Sequence, residues 1–218
     1  MRDEHIHEVM ARLRETKKAW DLPHVTQVAN KQRDPFRVLI STVLSLRTKD
    51  ATTSAASERL YGLADNPTDM ALLTAPQIEE AIYPVGFYHV KARHILEICR
   101  ILLDSYGGRV PDEIDTLVAL PGVGRKTANL VVTLAYGKPG ICVDTHVHRI
   151  SNRWGYVETR SPEQTETALR AKLPPMYWIE FNDTLVAFGQ NLCYPLSPRC
   201  SVCPVERFCA RVAVARSR

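Results

Sequence analysis

The sequence predicts an all-α protein. Apolar residues recur at helical spacing along most of the chain. Strand-like alternation is nearly absent, and glycine, proline and capping residues punctuate the helical stretches. The chain has 218 residues, 45% of them hydrophobic, enough for one large domain or two small ones with a real core.

The elements follow in order. Ile6, Val9, Met10 and Leu13 fall on one face of a first helix. "DPFRVLISTVLSLRTKDATTSAASERLY" holds one or two helices, with Asp34 as N-cap and Pro35 in the first turn. "TAPQIEEAIY" repeats the pattern, with Thr74 as cap and Pro76 following that cap. "KARHILEICRILLDSYGG" stops at Gly107-Gly108. "DEIDTLVALPG" and "RKTANLVVTLAYG" flank a glycine turn, and "SPEQTETALRAKLP" and "YWIEFNDTLVAFGQNLC" supply two more helices. Only "GICVD" reads as a short extended piece. The total is roughly ten helices joined by short loops.

Charge and composition bound the function. The formal net charge of +4 permits a nucleic-acid partner without demanding one. No apolar run approaches the ~18 residues of a membrane span. The opening "MRDEHIHEV" lacks a signal-peptide core. A cytoplasmic protein with reduced thiols and no membrane partner is therefore expected, and nothing points beyond a monomer. Cys99 and Cys142 lie alone in apolar segments and read as core residues.

"LPGVGRKTANLVV" sets two cations, Arg125 and Lys126, at the start of a helix just after Gly122 and Gly124. Glycines at such a turn permit positive φ and leave backbone N–H groups pointing outward, a ready seat for a phosphate oxygen. Neither the Walker spacing nor a preceding strand is present, so nucleotide-binding loops do not fit. A DNA backbone fits, and so does a plain αα-hairpin with solvated cations. The helix terminus and Arg125 both disfavour the ammonium form of Lys126, which favours free amine, a nucleophile toward a sugar aldehyde carbon. A simple phosphate contact is the alternative.

Downstream, "VDTHVHRISNRW" begins with Asp144, an N-cap whose carboxylate could also stabilise a cationic sugar or move a proton. His146 and His148 could join it in a metal set, but residues two apart on a helix point about 200° apart, which argues against a shared ion. Cys193, Cys200, Cys203 and Cys209 give C-x6-C-x2-C-x5-C. Four thiols so close together in a reducing compartment argue for metal, and the spacing admits either zinc or an iron–sulfur cluster.

Together these motifs resemble the endonuclease III family of DNA glycosylases, in the helix-hairpin-helix superfamily. "LPGVGRKTAN", "VDTHVHRI" and the four-cysteine loop carry the resemblance, which spans Asp34 to Cys209. It implies one 4Fe-4S cluster on the four cysteines, structural in role. It also implies two helical domains with a DNA-binding cleft between them. Residues 25–135 would form a helical barrel with the helix-hairpin-helix at about 114–133, and residues 1–24 with 136–218 the cluster domain. The implied partner is double-stranded DNA bearing a damaged base or abasic site. Lys126 would be the nucleophile and Asp144 the catalytic carboxylate of a bifunctional glycosylase and β-elimination lyase acting on oxidised pyrimidines. Gly122, Gly124, Arg125, Lys91 and Arg199 would hold the DNA backbone, and Phe87 would fill the gap left by the flipped base.

Two positions depart from the family pattern. Arg47 stands where glutamine is usual, and His89 where asparagine is common. Arginine can still bond the orphan base, and it favours guanine. Three rival readings remain. A monofunctional mismatch glycosylase would lack the lysine. A non-catalytic binding module would need neither Lys126 nor Asp144. A metal hydrolase would use Asp144, His146 and His148.

Overall fold

The computed structural model describes residues 1–20, 22–31 and 33–218, and no strand forms among them. Twelve α-helices appear among those residues. They are α1 (Ile6–Lys17), α2 (His24–Lys31), α3 (Pro35–Ser45), α4 (Asp50–Leu63), α5 (Pro67–Met70), α6 (Ala75–Ile82), α7 (Tyr88–Tyr106), α8 (Ile114–Val118), α9 (Arg125–Leu130), α10 (Thr145–Arg153), α11 (Pro162–Lys172) and α12 (Trp178–Asn191).

Local chemistry sets most boundaries. Asp34 Oδ1 accepts from Phe36 N–H at 2.8 Å and Arg37 N–H at 3.3 Å, opening α3. Thr74 and Gln77 form a reciprocal capping box at α6, with Gln77 Oε1 accepting from Thr74 N–H at 2.8 Å. Gly107 ends α7 at φ 57°, and Gly108 N–H returns to Leu102 O at 2.8 Å. The long apolar stretch after Asp34 divides in two because the chain breaks at Leu46–Lys49. "GICVD" finds no strand partner among the described residues. Ile141, Cys142 and Val143 are simply buried there.

The chain forms two compact units, His24–Lys138 and Met1–Pro23 with Pro139–Arg218. The first gathers α2–α9 around Leu39, Ile40, Leu44, Leu60, Met70, Ile95 and Leu102, all inaccessible. The 19-residue α7 runs through it, packing on α5 and α6. Cys99 sits in this core, and burial pushes its thiol up to about 12. The second unit packs α1, α10, α11 and α12 around Ile6, Met10, Leu13, Trp154, Phe181 and Phe188. There α1 is tied to α12 by ion pairs of Arg14 with Glu180 and Lys17 with Asp183.

Candidate active site and cluster loop

The hairpin joins α8 to α9 in the unit 24–138. Leu120 and Val123 are buried and pin the turn, closed by Val123 N–H to Leu120 O at 3.1 Å. Only one of the two glycines adopts positive φ. Gly122 has φ 71°, and a Cβ there would lie 2.4 Å from His94 Nδ1. Gly124 is extended at φ −90°, and a Cβ there would meet nothing within 4 Å. Conformation and packing therefore require glycine at 122. At 124 the glycine keeps open space over the N-terminus of α9. Arg125 and Lys126 occupy the exposed first turn of α9, while Thr127, Ala128 and Asn129 point inward. After Leu130 the helix widens into a π-turn over Val131–Ala135.

Two neighbouring loops carry the expected gap-filling residues. Arg47 and Phe87 both hold left-handed backbone, at φ 54° and 59°. The Arg47 guanidinium lies over the Phe87 ring, 5.5 Å from its centroid, and the ring is 61% exposed. His89 bonds Glu79 Oε2 through Nδ1 at 2.6 Å.

The structure corrects one expectation. Lys91 is buried, and its Nζ donates to Leu44 O at 2.8 Å, Leu46 O at 2.6 Å and Thr48 Oγ1 at 3.3 Å. The ammonium sits at the C-terminal, partly negative end of α3 and is not presented to a DNA phosphate. Its burial holds the amine down at about 8.

In the unit 1–23 with 139–218, Asp144 caps α10. Its Oδ1 accepts from His146 N–H at 2.8 Å and Val147 N–H at 2.9 Å. The two histidines part company. His146 Nδ1 lies 3.1 Å from Arg149 Nη2, whereas His148 Nδ1 pairs with Thr165 Oγ1 at 2.7 Å.

The four clustered cysteines line one pocket, walled also by Trp154, Phe188 and Val214. Cys193 Sγ accepts from Arg153 Nη1 at 3.2 Å, and Cys209 Sγ from Arg211 N–H at 3.3 Å. Burial pushes the Cys203 thiol up to about 11, opposed by a backbone bond from Val205 and reinforced by the other three cysteines. Burial likewise raises Cys209. Arg199 is exposed and stacks on Tyr194 at 5.6 Å.

Sequence reasoning missed Arg149 and Arg153. Arg149 Nη2 donates to Cys193 O at 2.9 Å, and the buried Arg153 donates to Tyr194 O at 2.8 Å and Pro195 O at 3.0 Å. Two arginines four apart, beside the apolar face of Val147, Ile150 and Trp154, were the available signal.

Comparison with known proteins agrees with this arrangement. Residues 40–175 match the HhH-GPD superfamily of base excision DNA repair proteins. The chain is 49% identical to Endonuclease III of Thermotoga maritima over 180 residues, 83% of this chain and 84% of that protein. The solved structure of a non-covalent Endonuclease III–DNA complex superposes with a TM-score of 0.86 at 34% identity, covering 97% of this chain and 96% of that one. A trapped Endonuclease III–DNA covalent intermediate in an estranged-adenine complex gives the same TM-score and identity, covering 97% of each chain. The hairpin and the four-cysteine loop therefore sit in a chain that belongs to the HhH-GPD superfamily of base excision DNA repair proteins, within its endonuclease III family.

Proposed function

We infer that this protein is a DNA glycosylase and abasic-site lyase of base excision repair, acting on duplex DNA with oxidised pyrimidines as its substrates. The observation that carries the reading is Lys126, an amine on the exposed first turn of α9 directly after the Gly122–Gly124 turn. A pure DNA-binding hairpin has no need of a nucleophile there, and a monofunctional glycosylase would lack it. The covalent DNA intermediate trapped with a 34% identical Endonuclease III supports the same chemistry.

In the proposed reaction the lone pair of Lys126 Nζ attacks the sugar's anomeric carbon. The bond from that carbon to the base breaks, and the base leaves with a proton. Opening of the sugar gives a Schiff base on Nζ, whose positive charge acidifies the neighbouring C2′ hydrogen. Loss of that proton expels the 3′ phosphate and nicks the strand, and water then releases the lysine. Asp144 is the carboxylate that stabilises the developing positive sugar and transfers protons. The exposed Arg47–Phe87 pair enters the duplex when the base leaves the stack. The Gly122–Gly124 turn, Arg125 and Arg199 hold phosphates.

The cysteine loop fits a four-iron, four-sulfur cluster. All four of its cysteines line one pocket, and two of its sulfurs already accept N–H bonds of the kind that tune such clusters. Cys193, Cys200, Cys203 and Cys209 would ligate the cluster, which would cross-link the loop rather than take part in the chemistry.

The test is borohydride trapping on a duplex carrying one oxidised pyrimidine, with Lys126→Gln alongside. A covalent adduct absent from the variant is expected. An adduct on abasic DNA alone would keep the lyase and discard the substrate. No adduct on either duplex would overturn the enzyme reading.

A further inference from the structure

The proposed reaction leaves Lys91 without a role, yet its bonds are unusually specific. Its side chain grips both flanks of Arg47, taking Leu44 O and Leu46 O before it and Thr48 Oγ1 after it. Its own backbone N–H bonds Phe87 O at 3.0 Å. Thr48 Oγ1 is a hub. It donates to Leu46 O at 3.2 Å and accepts from Lys91 Nζ and, at 3.2 Å, from Gly86 N–H. One proton and two lone pairs are all it has, so its capacity is filled. At Gly86 the two loops meet backbone to backbone, since a Cβ there would lie 2.8 Å from Arg47 O.

The residues bracketed in this way cannot hold their own conformation. Arg47 and Phe87 are both non-glycine residues in left-handed backbone. Such geometry persists only where the surroundings over-determine it. Both side chains project outward, so the restraint must come from beneath. Lys91 Nζ lies beneath the Arg47 turn and reaches the Phe87 loop through Thr48 Oγ1, which also accepts from Gly86 N–H; carbonyl dipoles and the Thr48 hydroxyl, rather than a carboxylate, hold its ammonium.

We propose that Lys91 is a positioning residue that locks the Arg47 and Phe87 loops into one preformed wedge before DNA arrives. This deepens the glycosylase reading and rests on its assignment of Arg47 and Phe87 to the gap in the duplex. A preformed wedge avoids the cost of ordering two side chains on binding. Loss of the lock therefore slows extrusion of a stacked base. It leaves chemistry on a sugar that has already lost its base largely intact.

The experiment uses the full chain with its cluster and compares Lys91→Met and Thr48→Val with the parent. Single-turnover excision of an oxidised pyrimidine is set against trapping on a preformed abasic duplex. Excision should fall at least tenfold and trapping less than threefold, the pattern expected of Phe87→Ala. A DNA-free readout accompanies it. Trp20, Trp154 and Trp178 all lie outside residues 24–138, so Phe87→Trp adds one reporter there. Acrylamide should quench that indole more readily when Lys91→Met is also present. Thr48→Val removes the hub but leaves the ammonium two carbonyls, and it carries the test if Lys91→Met does not fold.

Equal losses in both assays, or no loss in either, would overturn the lock. A parent protein that neither excises nor traps would overturn the glycosylase reading instead. The quenching comparison would still judge Lys91, and no difference there would dismiss it.

Discussion

Lys91 in the unit 24–138 and Arg153 in the unit 1–23 with 139–218 are both nearly inaccessible, at 5% and 6% exposure. Each grips a loop that carries residues of a proposed site, but by different chemistry. Lys91 is a point charge that collects three oxygens from residues 44–48. Arg153 uses its planar fork to reach Cys193 Sγ, Tyr194 O and Pro195 O, three successive residues. Lysine yields its proton when desolvated, whereas arginine stays charged. The loop of residues 44–48 is thus held by a buried ammonium whose charged form burial disfavours, and the cysteine loop by a guanidinium fork.

The largest effect should come from breaking the arginine. Arg153→Met strands two part-buried carbonyls and removes a hydrogen bond from a proposed cluster ligand. We expect a loss of about 3 kcal/mol in denaturant unfolding, together with loss of iron by elemental analysis. Arg153→Lys should recover only part of either, because an ammonium cannot span all three acceptors. Full iron content and unchanged stability in Arg153→Met would remove the contrast altogether.

The lysine should announce itself through pH. Folding lowers the Lys91 pKa from 10.5 to about 8 through burial. Between those values the unfolded chain binds more protons than the folded one, so this group makes stability rise with pH there. Below pH 8 both states are protonated, and the burial penalty is carried in full. Subtracting a Lys91→Met titration from the parent's should leave a difference that climbs from about pH 8 to 10.5. A flat Lys91 difference would mean the ammonium is better solvated than its surroundings imply.

These two residues also mark the limit of sequence reading. Asp34, Thr74 and Gly107 were legible because caps and glycine stops are local chemistry. That the four cysteines belong together was legible from their spacing, and they do line one pocket. The proposed tasks of Lys126 and Asp144 were readable from the residues only as one alternative among several, and the family resemblance singled them out. Lys91 was misread as a phosphate contact, since nothing in "YHVKARH" reports that the end of α3 lies against it. Arg153 was unread for the same reason, its partners being some 40 residues away. The glycine pair was half-read. Both residues suited a turn, but only the fold assigns positive φ to Gly122 and none to Gly124.

That assignment gives a finer comparison within the hairpin. Gly122→Ala forces a side chain into left-handed backbone and against His94 Nδ1. It should cost about 1–2 kcal/mol of stability, read as a lower denaturation midpoint. DNA binding should weaken along with it, because the turn itself is disturbed.

Gly124→Ala should have the smallest effect on the fold and the most informative effect on binding. Alanine is a poorer N-cap than glycine by about 0.5–1 kcal/mol, and it also reduces the freedom of the unfolded chain by a similar amount. With φ at −90° and nothing within 4 Å of the added methyl, the two should cancel to within about 0.5 kcal/mol. The methyl does fill the open space above the first turn of α9, where the proposed phosphate contact needs close backbone approach. Fluorescence anisotropy with a duplex carrying a stable abasic analogue should show affinity reduced about tenfold, near 1.4 kcal/mol. Unchanged affinity would mean that the cations hold the DNA strand and the hairpin backbone does not.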